Sequence, residues 1–442
     1  MIPRLFPSFV LLSTGIALSI HAQADDSWPL SLSQAQSIAR ERNHDLKLSR
    51  FAVRGAQANV EIAGVAPNPV LTVQSASIRP GTGFGSGSLT NQAIDTTVRL
   101  DQLIERGGKR ELRTSNARKL ELAAQADSAD VERQLDLLVA EAYADLHATQ
   151  ERRAAAIDSA QLFEAMLAAA QKRKEAGDIA GADVERVKVD ALRAKNDIDA
   201  ANGELARSRY SLALLLGENL RAGVIEAIDP WPALQAAELS DASNLEQIVA
   251  QRADVRAAMA RLDAASAGRE LALSLRTRDV SVGVQYEHFP QSGAIAQSSP
   301  HSVGISLQIP LFVRNYYKGE ILSAEAGVDS ASENLGKTRE AAANEIERAR
   351  GAVQSSAARV LRNRDELLVA AANAAKAAEF AYKNGAVGVM DVLDARRTLR
   401  ATRLDALAAL AEYSKALAHW RAATAANAAT GVSSESTQQH PQ

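Results

Sequence analysis

The sequence predicts a mixed, mainly α-helical chain, internally duplicated, with four short strands set among long helical hairpins. Three observations carry that expectation. A glycine-centred break, Gly177-Asp178-Ile179-Ala180-Gly181-Ala182-Asp183-Val184, is answered 208 residues later by Gly385-Ala386-Val387-Gly388-Val389-Met390-Asp391-Val392. Glycine falls on glycine and Asp-Val on Asp-Val, the mark of one unit used twice. Apolar residues around both breaks recur at helical spacing, and between the helical stretches lie short runs that alternate apolar with polar.

Taken in order, residues 1–24 read as an export signal. Arg4 supplies the positive charge, residues 9–20 an apolar core, and Ala22-Gln23-Ala24 the small-residue cleavage pattern. The mature chain then divides into a first repeat (25–216), a linker (217–240), a second repeat (241–425) and a polar tail (426–442). In the first repeat Leu32, Ala35, Ile38, Ala39, Leu46 and Val53 predict one helix over 31–65, stopped by Pro67-Asn68-Pro69. A weak strand follows (Leu71 and Val73 against Thr72 and Gln74), then a Gly/Ser-rich loop at 81–88. A second strand sets Ile94, Val98 and Leu100 against Asp95, Thr97, Arg99 and Asp101. Gly107-Gly108 opens a helix to about residue 176, which at ~1.5 Å per residue is about 100 Å long.

Beyond the break runs a seam of alternating three- and four-residue steps: Val184, Val187, Ala191, Ala194, Ile198, Ala201, Leu205, Ser208, Leu212. The second copy repeats it as Val392, Ala395, Leu399, Thr402, Ala406, Ala409, Tyr413, Ala416, Trp420. This is heptad packing, and its many alanines let helix backbones approach closely. The second repeat opens with Ala253-Asp254-Val255 in answer to His44-Asp45-Leu46. Its strands place Val280, Val282, Val284 and Tyr286 on one face, and then Val303, Ile305, Leu307, Ile309 and Leu311.

Composition narrows the function classes. The chain has no cysteine, which excludes disulfides and a lipid-modified N-terminal cysteine. Beyond the signal no apolar run approaches the roughly 20 residues of a membrane-crossing helix. A net charge of -3 argues against a general nucleic-acid binder. Aromatics make up 4% of residues while alanine abounds, a balance suited to long, closely packed helices. No phosphate loop and no HxxxH or HExxH spacing is present, so no enzyme, cofactor or metal site is expected; His44, His147, His288, His301 and His419 are scattered.

The strands are near the ~9–11 residues that cross a bilayer as a tilted strand. Four strands cannot close a barrel, and an open edge cannot sit in lipid. Either the sheet is soluble or chains pool strands, about eight for a dimer or twelve for a trimer.

Over the whole mature chain these residues resemble the TolC-like outer membrane efflux proteins of Gram-negative bacteria. The resemblance rests on the paired turns, above all Tyr382-Lys383-Asn384-Gly385 and Met390-Asp391-Val392-Leu393-Asp394-Ala395. Glu105-Arg106-Gly107-Gly108-Lys109-Arg110 and Ile309-Pro310-Leu311-Phe312-Val313-Arg314-Asn315 look like the subgroup paired with cobalt-zinc-cadmium exporters. The resemblance implies a homotrimer whose twelve-stranded transmembrane β-barrel continues as a coiled-coil helical tunnel through the periplasm, with a collar formed by the linker and C-terminal region. It also implies passive conduction, of heavy-metal cations in this subgroup, in partnership with a periplasmic adaptor and an inner-membrane proton-driven pump of the resistance-nodulation-division type. Ducts for drugs or a type I secretion system, and a periplasmic coiled-coil adaptor, are the competing readings.

Site residues follow from the same resemblance. Asp391 and Asp394 match an aperture ring, although both also suit a helix start, Asp391 as an N-cap. Tyr382, with Asp183 opposite, matches a contact that holds the tunnel end closed, but Val387 stands where the family's best-known member has an arginine. Gly177, Asp178, Ala180, Gly181, Gly385, Val387 and Gly388 mark the adaptor-contact turns. Ile94, Val98, Leu100, Val280, Val282, Val284, Val303, Ile305, Leu307 and Ile309 mark the lipid face.

Overall fold

The structure, a computed structural model, describes residues 27–76, 78, 94–234, 245–289 and 301–424. The export signal, the 81–88 loop, part of the linker and the polar tail lie outside the described residues. Two series of elements share one order. The first is α1 (Leu32–Arg42), α2 (His44–Gly64), β2 (Val70–Ala76), β3 (Asp95–Ile104), α3 (Lys109–Glu175) and α4 (Gly181–Leu216). The second is α5 (Leu245–Gln251), α6 (Ala253–Ser274), β5 (Val280–His288), β6 (His301–Gln308), α7 (Lys318–Arg362), α8 (Leu368–Lys383) and α9 (Val389–Thr424). Outside both series, β1 (Trp28–Leu30) pairs in parallel with β4 (Ile225–Ala227).

The 67-residue α3 matches the single long helix that the sequence predicts. Its counterpart is interrupted by a π-helical turn at Asn363–Leu367, which separates α7 from α8. The single helix expected over 31–65 is instead two helices. Asn43 divides them because its side chain accepts from the N–H groups of Asp45 (2.9 Å) and Leu46 (3.1 Å), capping α2 while α1 ends. Ser31 starts α1 with a capping box that Gln34 completes.

The corner between the first two helices of each series is tied to the end of its last helix by the same bond. Asn43 Nδ2 donates to the Leu215 carbonyl at 3.1 Å, and Arg252 Nη1 to the Ala423 carbonyl at 3.1 Å. Leu215 and Ala423 are 208 residues apart, like the turns. The cores correspond as well: Leu46, Val139, Leu146, Leu205 and Leu212 cluster in the first series, and Val255, Ile346, Val353, Tyr413 and Trp420 in the second. The linker lies across α3 and α9. There Tyr143 Oη accepts from the Ile228 and Asp229 N–H groups, each at 3.0 Å, Tyr413 Oη donates to Ala233, and the Trp231 ring stacks 4.2 Å from His147.

All four hairpin strands form one antiparallel sheet in the order β2-β3-β5-β6. Register places Leu71 on Leu100, Leu100 on Val284 and Val284 on Ile305, so the apolar residues of all four strands share one face. That face is open: Val303 is 75% exposed, Ile305 83% and Leu307 63%. The opposite face carries Arg99, Asp101, Gln285 and Glu287, with Arg99 Nη2 2.8 Å from Asp101. Two expected lipid-face residues differ. Ile94 lies just before β3 and is buried, and Ile309 falls after β6, where Pro310 cannot donate to a ladder. Among the described residues no helix is long and apolar enough to cross a membrane.

Arg252 is the largest fully buried side chain, and it joins Asp254 (2.8 Å) and Glu345 (2.7 Å) as well as the Ala423 carbonyl. Burial disfavours the Asp254 carboxylate, but the Arg252 guanidinium and the Val255 N–H outweigh it and hold its pKa below the ordinary value. A depressed carboxylate contributes stability above its unfolded value of about 4 and loses it as pH falls through the folded value. Arg252→Ala removes the hydrogen-bonding cation from Asp254 and the Ala423 carbonyl, leaves Glu345 only the longer contact to Arg133 at 3.7 Å, and is expected to destabilise the fold by roughly 3 kcal/mol at neutral pH. Thermal unfolding at pH 7 and pH 3 checks this: the variant's deficit is large at pH 7 and shrinks in acid.

Candidate functional site

The end of the helical hairpins remote from the sheet is built from two closely matched turns. In the first, Gly177 takes φ 81° and the Asp178 N–H reaches back to the Arg173 carbonyl at 2.9 Å. In the second, Gly385 takes φ 74° and the Ala386 N–H reaches the Ala381 carbonyl at 2.8 Å. Both are Schellman closures, which need a left-handed residue and explain a glycine at each place. Gly177, Asp178, Ala180, Gly181, Gly385 and Gly388 are exposed, and Val387 is half-buried. Beneath them Phe163, Val184, Val187 and Ala191 of the first hairpin pack with Val389 and Leu393 of the second.

Asp391 turns back on its own turn: its carboxylate accepts from the Gly388 N–H at 3.0 Å. Asp394, one helical turn further, meets Arg397 at 3.0 Å. The same Arg397 forks onto Asp190 at 2.7 and 2.9 Å, so it bridges α9 to α4 and links Asp394 to a carboxylate buried at 6% exposure. A second rung, Arg400 to Asp197, lies further along the same two helices. Arg396 pairs with Glu379 inside the second hairpin.

Tyr382 and Asp183 are not joined by a hydrogen bond among the described residues. Asp183 pairs with Arg186 at 3.4 Å, and the Tyr382 ring lies under the Arg173 guanidinium at 4.7 Å. This cation–π contact also connects the hairpins, α3 to α8. The connection therefore runs through Arg173, Arg397 and Arg400, none of which the sequence reading singled out. A signal was present. Asp190 stands one place before the seam residue Ala191, and Arg397 between Ala395 and Leu399, the flanking positions where charges link neighbouring helices.

Among the described residues this end of the hairpins offers a surface and a set of ion pairs. Two turn tips project, two carboxylates stand behind the second tip, and arginines fasten the hairpins together. At the other end, the amphipathic sheet leaves β2 and β6 as its edge strands.

Comparison with known proteins places this architecture. The family model described as outer membrane efflux protein matches residues 35–218 and again 244–426, one match for each series of elements. The chain is 26% identical to the cobalt-zinc-cadmium resistance protein CzcC of Cupriavidus metallidurans over 86% of this chain and 88% of that protein. It is also 26% identical to the pyoverdine export outer membrane protein OpmQ of Pseudomonas putida, over 73% of this chain and 70% of that one. Among solved structures it is similar to CusC (TM-score 0.75, 20% identity, 90% of this chain and 92% of that one). The outer membrane protein VceC of Vibrio cholerae superposes with a TM-score of 0.72 at 20% identity, over 89% of this chain and 95% of that one. Sheet, hairpins and a doubled family match converge: the chain belongs to the outer membrane efflux protein family and is an outer membrane efflux channel.

Proposed function

We propose that three copies of this chain pool their sheets into one twelve-stranded barrel, and that the channel passively conducts heavy-metal cations delivered by an adaptor and an inner-membrane proton-driven pump. The observation that carries the assembly is the four-stranded sheet, apolar on one face and open at both edges, because lipid leaves no other partner for its backbone groups. Metal as cargo rests on the likeness to CzcC along most of both chains. The likeness to OpmQ supports a small organic cargo as the second reading.

On this reading the two exposed turns meet the adaptor, and the second tip forms the aperture. Threefold symmetry would gather six carboxylates there, from Asp391 and Asp394. The Arg397 and Arg400 bridges to Asp190 and Asp197 hold the second hairpin against the first, and with it the aperture's width.

Deleting the gene is expected to sensitise cells to zinc, cobalt and cadmium and to leave resistance to hydrophobic drugs unchanged; sensitivity to drugs alone would contradict metal as cargo. Complementation with Ala180→Arg or Val387→Arg is expected to yield protein that reaches the outer membrane yet fails to restore resistance. Full restoration by both would move the adaptor contact elsewhere.

Planar-bilayer conductance tests the aperture. Asp391→Ala with Asp394→Ala is expected to weaken block by divalent cations. Arg397→Ala is expected to raise open-channel current, and Asp190→Arg with Arg397→Asp to bring it back towards the parent's. Unchanged behaviour in all three removes the tip from gating.

A further inference from the structure

Two of the scattered histidines meet at the end of the sheet farthest from the helices. Helix-proximal strand ends are Val70, Ile104, Val280 and Gln308; the far ends are Ala76, Asp95, His288 and His301. Register sets His288 directly opposite His301, and alternation puts both on the apolar face with Tyr286. Their Nδ1 atoms are 3.3 Å apart, with ring centroids 4.8 Å apart and planes tilted by 32°. The Tyr286 hydroxyl is 2.6 Å from His301 Nδ1. His288 is 8% exposed, whereas His301 and Tyr286 are open to the surface.

The separation of the two nitrogens is informative. At 3.3 Å the two nitrogens are within hydrogen-bond reach of each other, and an ion bound to both takes the place of the proton they share. Two imidazole nitrogens bound to one tetrahedral zinc at ~2.0–2.1 Å stand about 3.3–3.4 Å apart, the spacing found here. We propose that His288 and His301 form a cross-strand site for a borderline divalent transition-metal ion such as Zn²⁺, at the outer end of the β5–β6 hairpin.

Imidazole pairs favour zinc, cobalt, copper and nickel over the oxygen-seeking magnesium and calcium. No group of three or more His, Cys, Asp or Glu among the described residues is placed to hold a metal, so the remaining positions fall to oxygen. When His301 Nδ1 turns to the ion it gives up the Tyr286 hydroxyl 2.6 Å away, and water supplies the remaining two positions. His301 and Tyr286 give the ion its way in, and His288 beneath them gives it a fixed wall. This site is separate from the cargo path of the proposed channel, because it lies on the face that register shares with Ile305 and Leu307 rather than with Arg99 and Asp101.

Zinc titration of the purified full-length protein tests the proposal, with His288→Gln, His301→Gln and the double variant beside the parent and His419→Gln as control. Losing one of two imidazole ligands is expected to weaken zinc affinity by more than the roughly tenfold that losing an outer supporting group costs. His419→Gln is expected to bind as the parent does. Cu²⁺ electron paramagnetic resonance gives a second readout, in which nitrogen couplings from two imidazoles fall to one in each single variant. Oligomer mobility on unheated gels confirms that each variant is folded. Parent-like zinc affinity and unchanged nitrogen couplings in the folded double variant would overturn the proposal, as would a folded parent that binds no zinc.

Discussion

Unsatisfied backbone governs this molecule. A sheet of four strands has two edges, and each edge presents a row of N–H and C=O groups that water can satisfy but lipid cannot. Its apolar face, through Leu71, Leu100, Val284 and Ile305 in register, is suited to lipid, so the face and the edges make opposite demands on one isolated chain. In the proposed trimer, pooling strands between chains resolves the conflict. On the same proposal, hairpins attached to a closed ring of strands would form a ring themselves, with the long seams of alanine and valine on α4 and α9 as the staves of a tube.

Duplication supplies the parts, and departures from it supply the specialisation. The corner bonds from Asn43 and Arg252 are equivalent in position but unequal in chemistry: an amide in the first series, a buried cation with two carboxylates in the second. The hairpins differ in the same way. The first runs through an unbroken α3, whereas its counterpart contains the π turn at Asn363–Leu367. Such turns mark places where a helix has taken an extra residue into its ladder, often where function demands it. The second tip also has the paired Asp391 and Asp394, where the first has Asp183 and Arg186. Arg397 and Arg400 join the two unequal copies.

Much of this was legible in the amino-acid pattern. Period-two alternation and period-3.5 seams are local properties, so the four strands and both helical hairpins could be read from spacing. The break at Asn43 escaped because the apolar stripe continues across it, and the capping bonds that make it are visible only in three dimensions. Pairings between the repeats escaped for a different reason. Arg397 reaches Asp190, 207 residues away; their places beside the seams mark each as a charge that can link helices, but not which charge meets which. Likewise His288 and His301 look unrelated until strand register places them face to face. Residues inside one element were readable, and residues that meet across elements were not.

The central claim is that the sheet is one third of a barrel, and cross-linking its edges tests that claim most directly. Because the natural chain has no cysteine, Val73→Cys on β2 can be combined in turn with Val303→Cys, Ile305→Cys or Leu307→Cys on β6. Oxidation in outer membranes followed by denaturing electrophoresis is predicted to give covalent dimers and trimers for at least one pairing, and nothing larger. Chains that remain monomeric in every pairing, or a ladder that continues past three, would contradict it.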